Sequence, residues 1–198
     1  MIIKAILIIA VCYLIGSIPF GVIIGRVFKG VDIRDSGSGN IGAANAIRTL
    51  GIVPGILVLL LDVAKGFFAV YLSTHLMPNA PLMNVIAGLT AVIGHNSSIF
   101  LKFKGGKGIA TTFGVFLALN WQIALICLAT YVIMVFITRY SSVGSLSGTL
   151  AMPVCMYIFH QPPEYFWFSI IAAAFAFYKH KENIKRLLKG EEIRMFNK

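Results

Sequence analysis

The chain alternates between long apolar runs and short polar connections. From Met1 to about Gly25 the sequence is apolar, with Pro19 interrupting it and Gly16 and Gly21 nearby, and it predicts a kinked helix. Further apolar runs cover about 52–76, 83–100, 109–119, 123–137, 146–159 and 165–178. A membrane-crossing helix needs about 20 predominantly apolar residues, and several of these runs are shorter than that. The run over 109–119 spans only ~17 Å as a helix, which predicts a tilted segment in thinned bilayer or an incomplete crossing. The expected fold is therefore all-α, a compact bundle of about seven transmembrane helices. Residues 1–198 form a single polytopic membrane domain in this reading. A cleaved signal peptide is disfavoured, because no small-x-small site follows and the apolar run continues past Pro19.

Composition sharpens the class. Of 198 residues 58% are hydrophobic and 12% charged, and the mean hydropathy is +0.86. Soluble domains carry about 25% charged residues, so an ordinary soluble globule is excluded, as is a disordered chain. Seventeen Lys and Arg oppose seven Asp and Glu, for a net charge of +10. Alternate connections hold Arg26, Lys29, Arg34 and Arg48, then Lys102, Lys104 and Lys107, then Arg139, then the basic tail from Lys179. The connections around 75–81, 120–122 and 160–164 hold no Lys or Arg; only Lys4 and Lys65 lie off the basic side. The positive-inside rule then puts the N-terminus outside and the C-terminus and basic face in the cytoplasm. Such a face suits anionic headgroups or anionic substrates better than nucleic acid. Cys12, Cys127 and Cys155 lie inside apolar runs with no paired spacing, and read as small buried hydrophobes. No metal and no cofactor is called for.

Three polar segments share the basic face. The first runs from Asp35 through Gly37, Ser38, Gly39, Asn40, Gly42 and Asn45 to Arg48. The second, 103–112, contains Gly105, Gly106, Lys107 and Gly108, and the third is the tail from His180 through Asn183 to Glu192. A polar stretch at 139–145, ending in Ser145, opens another span. Gly37, Gly39 and Gly42 match a dinucleotide fingerprint in spacing, but no buried strand precedes them, and the nearest following acid, Asp62, lies deep in an apolar run. Lys107 is followed by Gly108, not by the Ser or Thr of a Walker loop. What the two glycine loops share is the ability to converge backbone N–H groups at a helix start, with Arg48 and Lys107 supplying full charges suited to phosphate oxygens. Two such loops predict more than one phosphate.

His75 and His160 fall in outer connections and read as solvated. His95 closes a span beside the second glycine loop, where helix-end hydrogen bonding and substrate contact are both open. His180 and Asn183 stand one helical turn apart; they either orient a substrate hydroxyl or phosphate, or cap a helix. Asp62 and Lys65 stand three apart in an apolar run and are read as a buried structural pair facing the bundle interior, with a functional pair as the alternative.

Taken together, the segments 36–43, 103–108 and 180–188 resemble the signature regions of the bacterial acyl-phosphate:glycerol-3-phosphate acyltransferases, membrane glycerol-3-phosphate acyltransferases that use acyl phosphate. The segments 16–21 and 61–66 and the pair Gly94-His95 are also similar to that family's pattern. The resemblance runs from the first span to the tail. It implies transfer of a fatty acyl group from acyl phosphate to the 1-hydroxyl of sn-glycerol 3-phosphate, giving 1-acylglycerol 3-phosphate (lysophosphatidate) and phosphate, the first acylation of phospholipid synthesis. It implies that Gly37, Ser38, Gly39, Asn40 and Gly42, with Asn45, Gly105 and Gly106, cradle substrate phosphate. By the same resemblance Arg48, Lys107, Ser145, His180 and Asn183 hold glycerol 3-phosphate and the developing charge. The family lacks the His-x4-Asp motif of other glycerolipid acyltransferases; here the residues five beyond the histidines are Ala80, Phe100, Tyr165 and Lys185. Direct attack by the substrate hydroxyl follows, with a substrate phosphate taking the proton. The implied setting is the bacterial cytoplasmic membrane, with a cytoplasmic active site. The implied partners are the bilayer and the soluble phosphate acyltransferase that makes acyl phosphate. The chain departs from the family where Ala44 replaces a usual Thr and where Ser98 stands near a usual Pro. A small anion or organophosphate transporter is the rival class; it would also show a basic mouth, but should show related halves and polar groups reaching both sides.

Overall fold

The computed structural model describes residues 2–195; Met1 and the tail's Lys198 lie outside them. Among the described residues the structure is helical, without β-strands. In order the helices are α1 (Ile2–Ser17), α2 (Phe20–Lys29), α3 (Ala43–Leu50), α4 (Ile52–Leu76), α5 (Pro81–Asn96), α6 (Ile109–Leu119), α7 (Trp121–Thr138), α8 (Ser141–Ile158), α9 (Pro163–Lys179) and α10 (Lys181–Lys189). Short 3-10 turns occupy Ile33–Asp35 and Ile99–Leu101. Among the described residues four segments are long and apolar enough to cross a membrane: Ile2–Lys29, Ile52–Leu76, Pro81–Leu101 and Trp121–Thr138. The expected run over 109–119 is α6 to the residue. The first run is broken more sharply than a kink. Pro19 cannot donate to a helical carbonyl, so α1 stops at Ser17 and α2 restarts at Phe20, leaving the Ser17 and Ile18 carbonyls for other partners.

The chain divides into two compact units, residues 1–119 and 120–198. In the first, α4 packs along α6 and α1 along α5, with α3 folded onto α4. Small residues set both long crossings. A Cβ at Gly66 would sit 2.0 Å from the Thr111 carbonyl oxygen, and one at Gly114 would sit 1.9 Å from that of Val63, so α4 and α6 meet backbone to backbone. Gly16 and Gly94 do the same for α1 and α5. Close approach through small residues is how helices gain packing in lipid, where apolar side chains win nothing by leaving the solvent. The lipid-facing side stays apolar and open; Ile2 and Ile3 are exposed, whereas Cys12, Ala69, Ala87 and Ala91 are buried at the contact of α1, α4 and α5. In the second unit α8 lies between α7 and α9, and α10 turns off the end of α9 at His180. Cys127 and Cys155 are buried in it as free thiols.

Candidate functional site

The first glycine loop is shaped from inside by one side chain. The chain leaves α2 through Gly30 (φ 67°), and Asp32 caps the 3-10 turn by accepting from the Arg34 N–H at 3.0 Å. Arg34 returns two side-chain hydrogen bonds, at 2.9 and 2.6 Å, which hold the Asp32 carboxyl below the usual carboxylate range. The loop proper then runs over 36–42, with Gly37 (φ 62°) and Gly39 (φ 69°) in the left-handed region. Asn45, in the first turn of α3, points back beneath it. Its Oδ1 accepts from the Ser38 N–H at 2.8 Å, and its Nδ2 donates to the carbonyls of Ile33, Ser36 and Asn40 at 2.7, 3.2 and 2.9 Å. Asn45 is buried, whereas Ser38 and Asn40 are half-buried and Gly37 and Gly39 exposed. Gly42 is the N-cap of α3, so the loop feeds a helix start, and half-buried Arg48 follows one turn beyond Asn45. Lys29 donates to the Thr49 carbonyl at 3.1 Å and ties α2 to the far end of α3.

The second glycine loop follows α5. Ser98 Oγ donates to the freed Ser17 carbonyl at 2.5 Å, and Tyr13 OH donates to the Ser97 carbonyl at 2.9 Å, anchoring the loop to the α1 break. Lys102 (φ 52°) and Phe103 (φ 63°) take consecutive left-handed conformations, after which 104–108 run without regular secondary structure to Gly108 (φ 81°) and into α6. The Gly105 N–H donates to the Asn96 carbonyl at 3.2 Å and the Gly106 N–H to the His95 carbonyl at 3.0 Å. Half-buried Lys107 lies between this contact and the start of α6. The two loops of this unit meet: Ile41 of the first and Leu101 of the second pack on Val22 of α2. Arg26, Arg34, Lys102 and Lys104 line one open groove of about 460 Å³ there, with an apolar wall that includes Pro19 and Phe100. Neither Asp62 nor Lys65 belongs to that groove. They form a buried pair at 2.8 Å on α4, in agreement with their spacing, and His95 joins them.

In the second unit the polar cluster gathers on a carboxylate that the sequence reading did not single out. Glu192 is buried and accepts from Asn183 Nδ2 at 2.6 Å and Ser142 Oγ at 2.9 Å through one oxygen, and from Arg186 Nε at 2.8 Å through the other. Burial alone would raise its pKa, but these three donors outweigh it and hold the carboxyl below its usual range. The only signal in the sequence was a lone acid pair past a glycine in a basic tail; Gly190 (φ 72°) ends α10 and turns Glu192 back. His180 is buried, and its Nδ1 donates to the Ala176 carbonyl at 2.8 Å. That bond answers the helix-end alternative for this nitrogen and makes Nε2 the acceptor of the neutral ring. Ser145 Oγ donates to the Ser141 carbonyl at 2.8 Å and is buried one turn from Ser142. Among the described residues no group of three or more His, Cys, Asp or Glu could hold a metal ion.

Apolar crossing segments, with polar clusters built on glycine loops and basic side chains, define a polytopic integral membrane protein. The chain belongs to the glycerol-3-phosphate acyltransferase family, whose model matches residues 6–190. The glycerol-3-phosphate acyltransferase of Fusobacterium nucleatum is 45% identical over 93% of this chain and 94% of its own. That of Desulforamulus reducens is 44% identical over 99% of this chain and 98% of its own. Among solved structures, PlsY (YgiH), an integral membrane glycerol 3-phosphate acyltransferase, is similar in its glycerol 3-phosphate form with a TM-score of 0.93 and 37% identity. The likeness covers 98% of this chain and 96% of that one. Its lysophosphatidic acid form gives a TM-score of 0.90 at 36% identity, over 96% and 94% of the two chains. Phospholipid synthesis follows from the family.

Proposed function

We propose that the chain transfers a fatty acyl group from acyl phosphate to the 1-hydroxyl of sn-glycerol 3-phosphate, releasing lysophosphatidate and inorganic phosphate. The observation that carries this reading is the pair of glycine loops, each feeding a helix and each followed by a cation, in a family member whose similar solved structures are in glycerol 3-phosphate and lysophosphatidic acid forms. The substrate hydroxyl oxygen attacks the carbonyl carbon of the mixed anhydride. The carbonyl–oxygen bond to phosphate breaks, phosphate leaves, and the hydroxyl proton passes to a phosphate oxygen. No cofactor takes part. The protein acts by placing the two phosphates and neutralising charge.

Gly37, Ser38, Gly39, Asn40 and Gly42 offer the first cradle, with Asn45 shaping it from beneath; Gly105 and Gly106 contribute the second. Arg48 and Lys107 supply charge to phosphate oxygens. Ser145, His180 and Asn183 serve glycerol 3-phosphate. The topology that fits is a single polytopic domain with seven crossings in the bacterial cytoplasmic membrane, N-terminus outside, C-terminus and basic face inside. The acyl phosphate arrives from a soluble phosphate acyltransferase. The test is phosphate release by the purified protein in lipid, given palmitoyl phosphate with and without glycerol 3-phosphate. Release that needs glycerol 3-phosphate, matched one-for-one by lysophosphatidate, is expected. Inert palmitoyl phosphate together with active palmitoyl-coenzyme A overturns the donor, and inertness of both favours an anion transporter.

A further inference from the structure

Lys65 stands in the middle of an apolar helix and is 3% exposed. Its ammonium is ion-paired with Asp62 Oδ1 at 2.8 Å and donates hydrogen bonds to His95 Nδ1 at 2.8 Å and to the Ile18 carbonyl at 3.1 Å. Each comes from a different part of the first unit. Asp62 is one turn back on α4, His95 is in the last turn of α5, and Ile18 lies in the gap that Pro19 opens between α1 and α2. Isolated charges are costly in an apolar bundle, and here Lys65 is held by an ion pair and two hydrogen bonds whose partners come from all of these elements.

His95 leads to the site. Because His95 Nδ1 accepts from the ammonium, the neutral ring carries its proton on Nε2. That nitrogen lies against the second glycine loop: a Cβ at Gly106 would sit 2.2 Å from it. The backbone of the same histidine takes the Gly106 N–H, and a Cβ at Gly105 would lie 2.0 Å from the His95 carbonyl oxygen. Both glycines are thus laid on His95, one on its ring and carbonyl, one on its carbonyl. Lys107 is the next residue.

We infer that Lys65 and His95 are positioning residues: the buried ammonium orients the His95 ring, and the ring and its carbonyl set the Gly105–Gly106 segment that carries Lys107. The inference rests on the proposed role of Lys107 toward glycerol 3-phosphate. It gives the intramembrane charges a purpose beyond mutual neutralisation, since an isolated Asp62–Lys65 pair would need no histidine under the loop.

The test uses two variants of the full chain in detergent or lipid. His95→Asn keeps an oxygen for the lysine and removes the ring beneath Gly106. Asp62→Asn with Lys65→Gln removes both charges together, so that neither is left buried alone. Two readouts are taken on each: KM and kcat for glycerol 3-phosphate, and acetylation of Lys107 by acetic anhydride, followed by mass spectrometry, with and without glycerol 3-phosphate. In the unsubstituted protein glycerol 3-phosphate slows acetylation of Lys107. In the variants, with the unfolding temperature nearly kept, KM rises roughly 10- to 100-fold with a much smaller change in kcat, and protection needs correspondingly more glycerol 3-phosphate. Unchanged KM and unchanged protection in a folded variant overturn the inference, and so does failure of both variants to fold, which makes the cluster purely structural. Absence of protection in the unsubstituted protein overturns the role of Lys107 itself, and the inference with it.

Discussion

Asn183 donates its amide hydrogen to the Glu192 carboxylate at 2.6 Å, across the turn that Gly190 makes at the end of α10. A residue proposed to serve glycerol 3-phosphate is therefore held by an acid from the tail, and the same carboxylate oxygen holds Ser142 on α8. Loss of that carboxylate removes a hydrogen bond from Asn183 and from Ser142 together.

Glu192→Gln is expected to lower stability by on the order of 2 kcal/mol at neutral pH, since a charged acceptor with several donors becomes a neutral amide that can satisfy fewer of them. The hydrogen bonds hold this carboxyl below its ordinary value of 4.5, so their contribution is fully present above that value and is lost as pH falls through the lower folded-state value. The melting-temperature difference between the variant and the unsubstituted protein should stay flat from about pH 8 to pH 5.5 and narrow in more acid buffer. A difference that grows on acidification contradicts the assignment.

Gly37→Ala and Gly30→Ala separate two effects of glycine. Both positions have positive φ, 62° and 67°, so each alanine costs ~1–2 kcal/mol of backbone strain. Only at Gly37 does the new Cβ meet an obstacle, lying 2.3 Å from Asn45 Oδ1; at Gly30 there is open space. Acyl transfer should be lost in Gly37→Ala and retained in Gly30→Ala, measured side by side in the lysophosphatidate assay.

Asn45→Ala removes the donor to three loop carbonyls and the acceptor of the Ser38 N–H. Leaving such groups unpaired costs about 1–3 kcal/mol. The expected result is a lower unfolding temperature and a loop that no longer holds phosphate, read as a raised KM for acyl phosphate. Asn45→Asp is expected to be no better, because a carboxylate has nothing to donate to those carbonyls.

Lys107→Ala is expected to leave the protein folded and to lower kcat/KM by ~100- to 1000-fold, the usual cost of removing one donor to developing charge. Retention of most activity removes Lys107 from the site.

The proposed topology has its own check. Asn79→Cys, in the connection without Lys or Arg, should react with an impermeant maleimide from outside intact cells, and Lys104→Cys only after permeabilisation. The native Cys12, Cys127 and Cys155 are buried and give a low background.

Much of the fold was legible because apolar length is a direct consequence of bilayer thickness. The runs at 52–76 and 109–119 coincide with α4 and α6 residue for residue, and Pro19 marked the break in the first run through a missing N–H. The glycine loops were legible as well, because positive φ at Gly37 and Gly39 is a demand that few other residues meet. Asp62 and Lys65 announced themselves as a pair by spacing alone. Their third member did not: His95 is thirty residues away from Lys65 and reaches it only because α5 packs beside α4. Asn45 looked like one more polar residue of a loop, and only the fold of α3 turned its amide inward under Ser38. Glu192 looked like tail charge until Gly190 folded it onto Asn183. Local sequence determined which segments are helical, which are lipid-compatible and which turns need glycine, since those depend on each residue's own backbone and side chain. Tertiary structure alone decided which polar groups share a hydrogen bond, because in a dry interior each buried charge and carbonyl must take whatever partner the packing of distant helices brings to it.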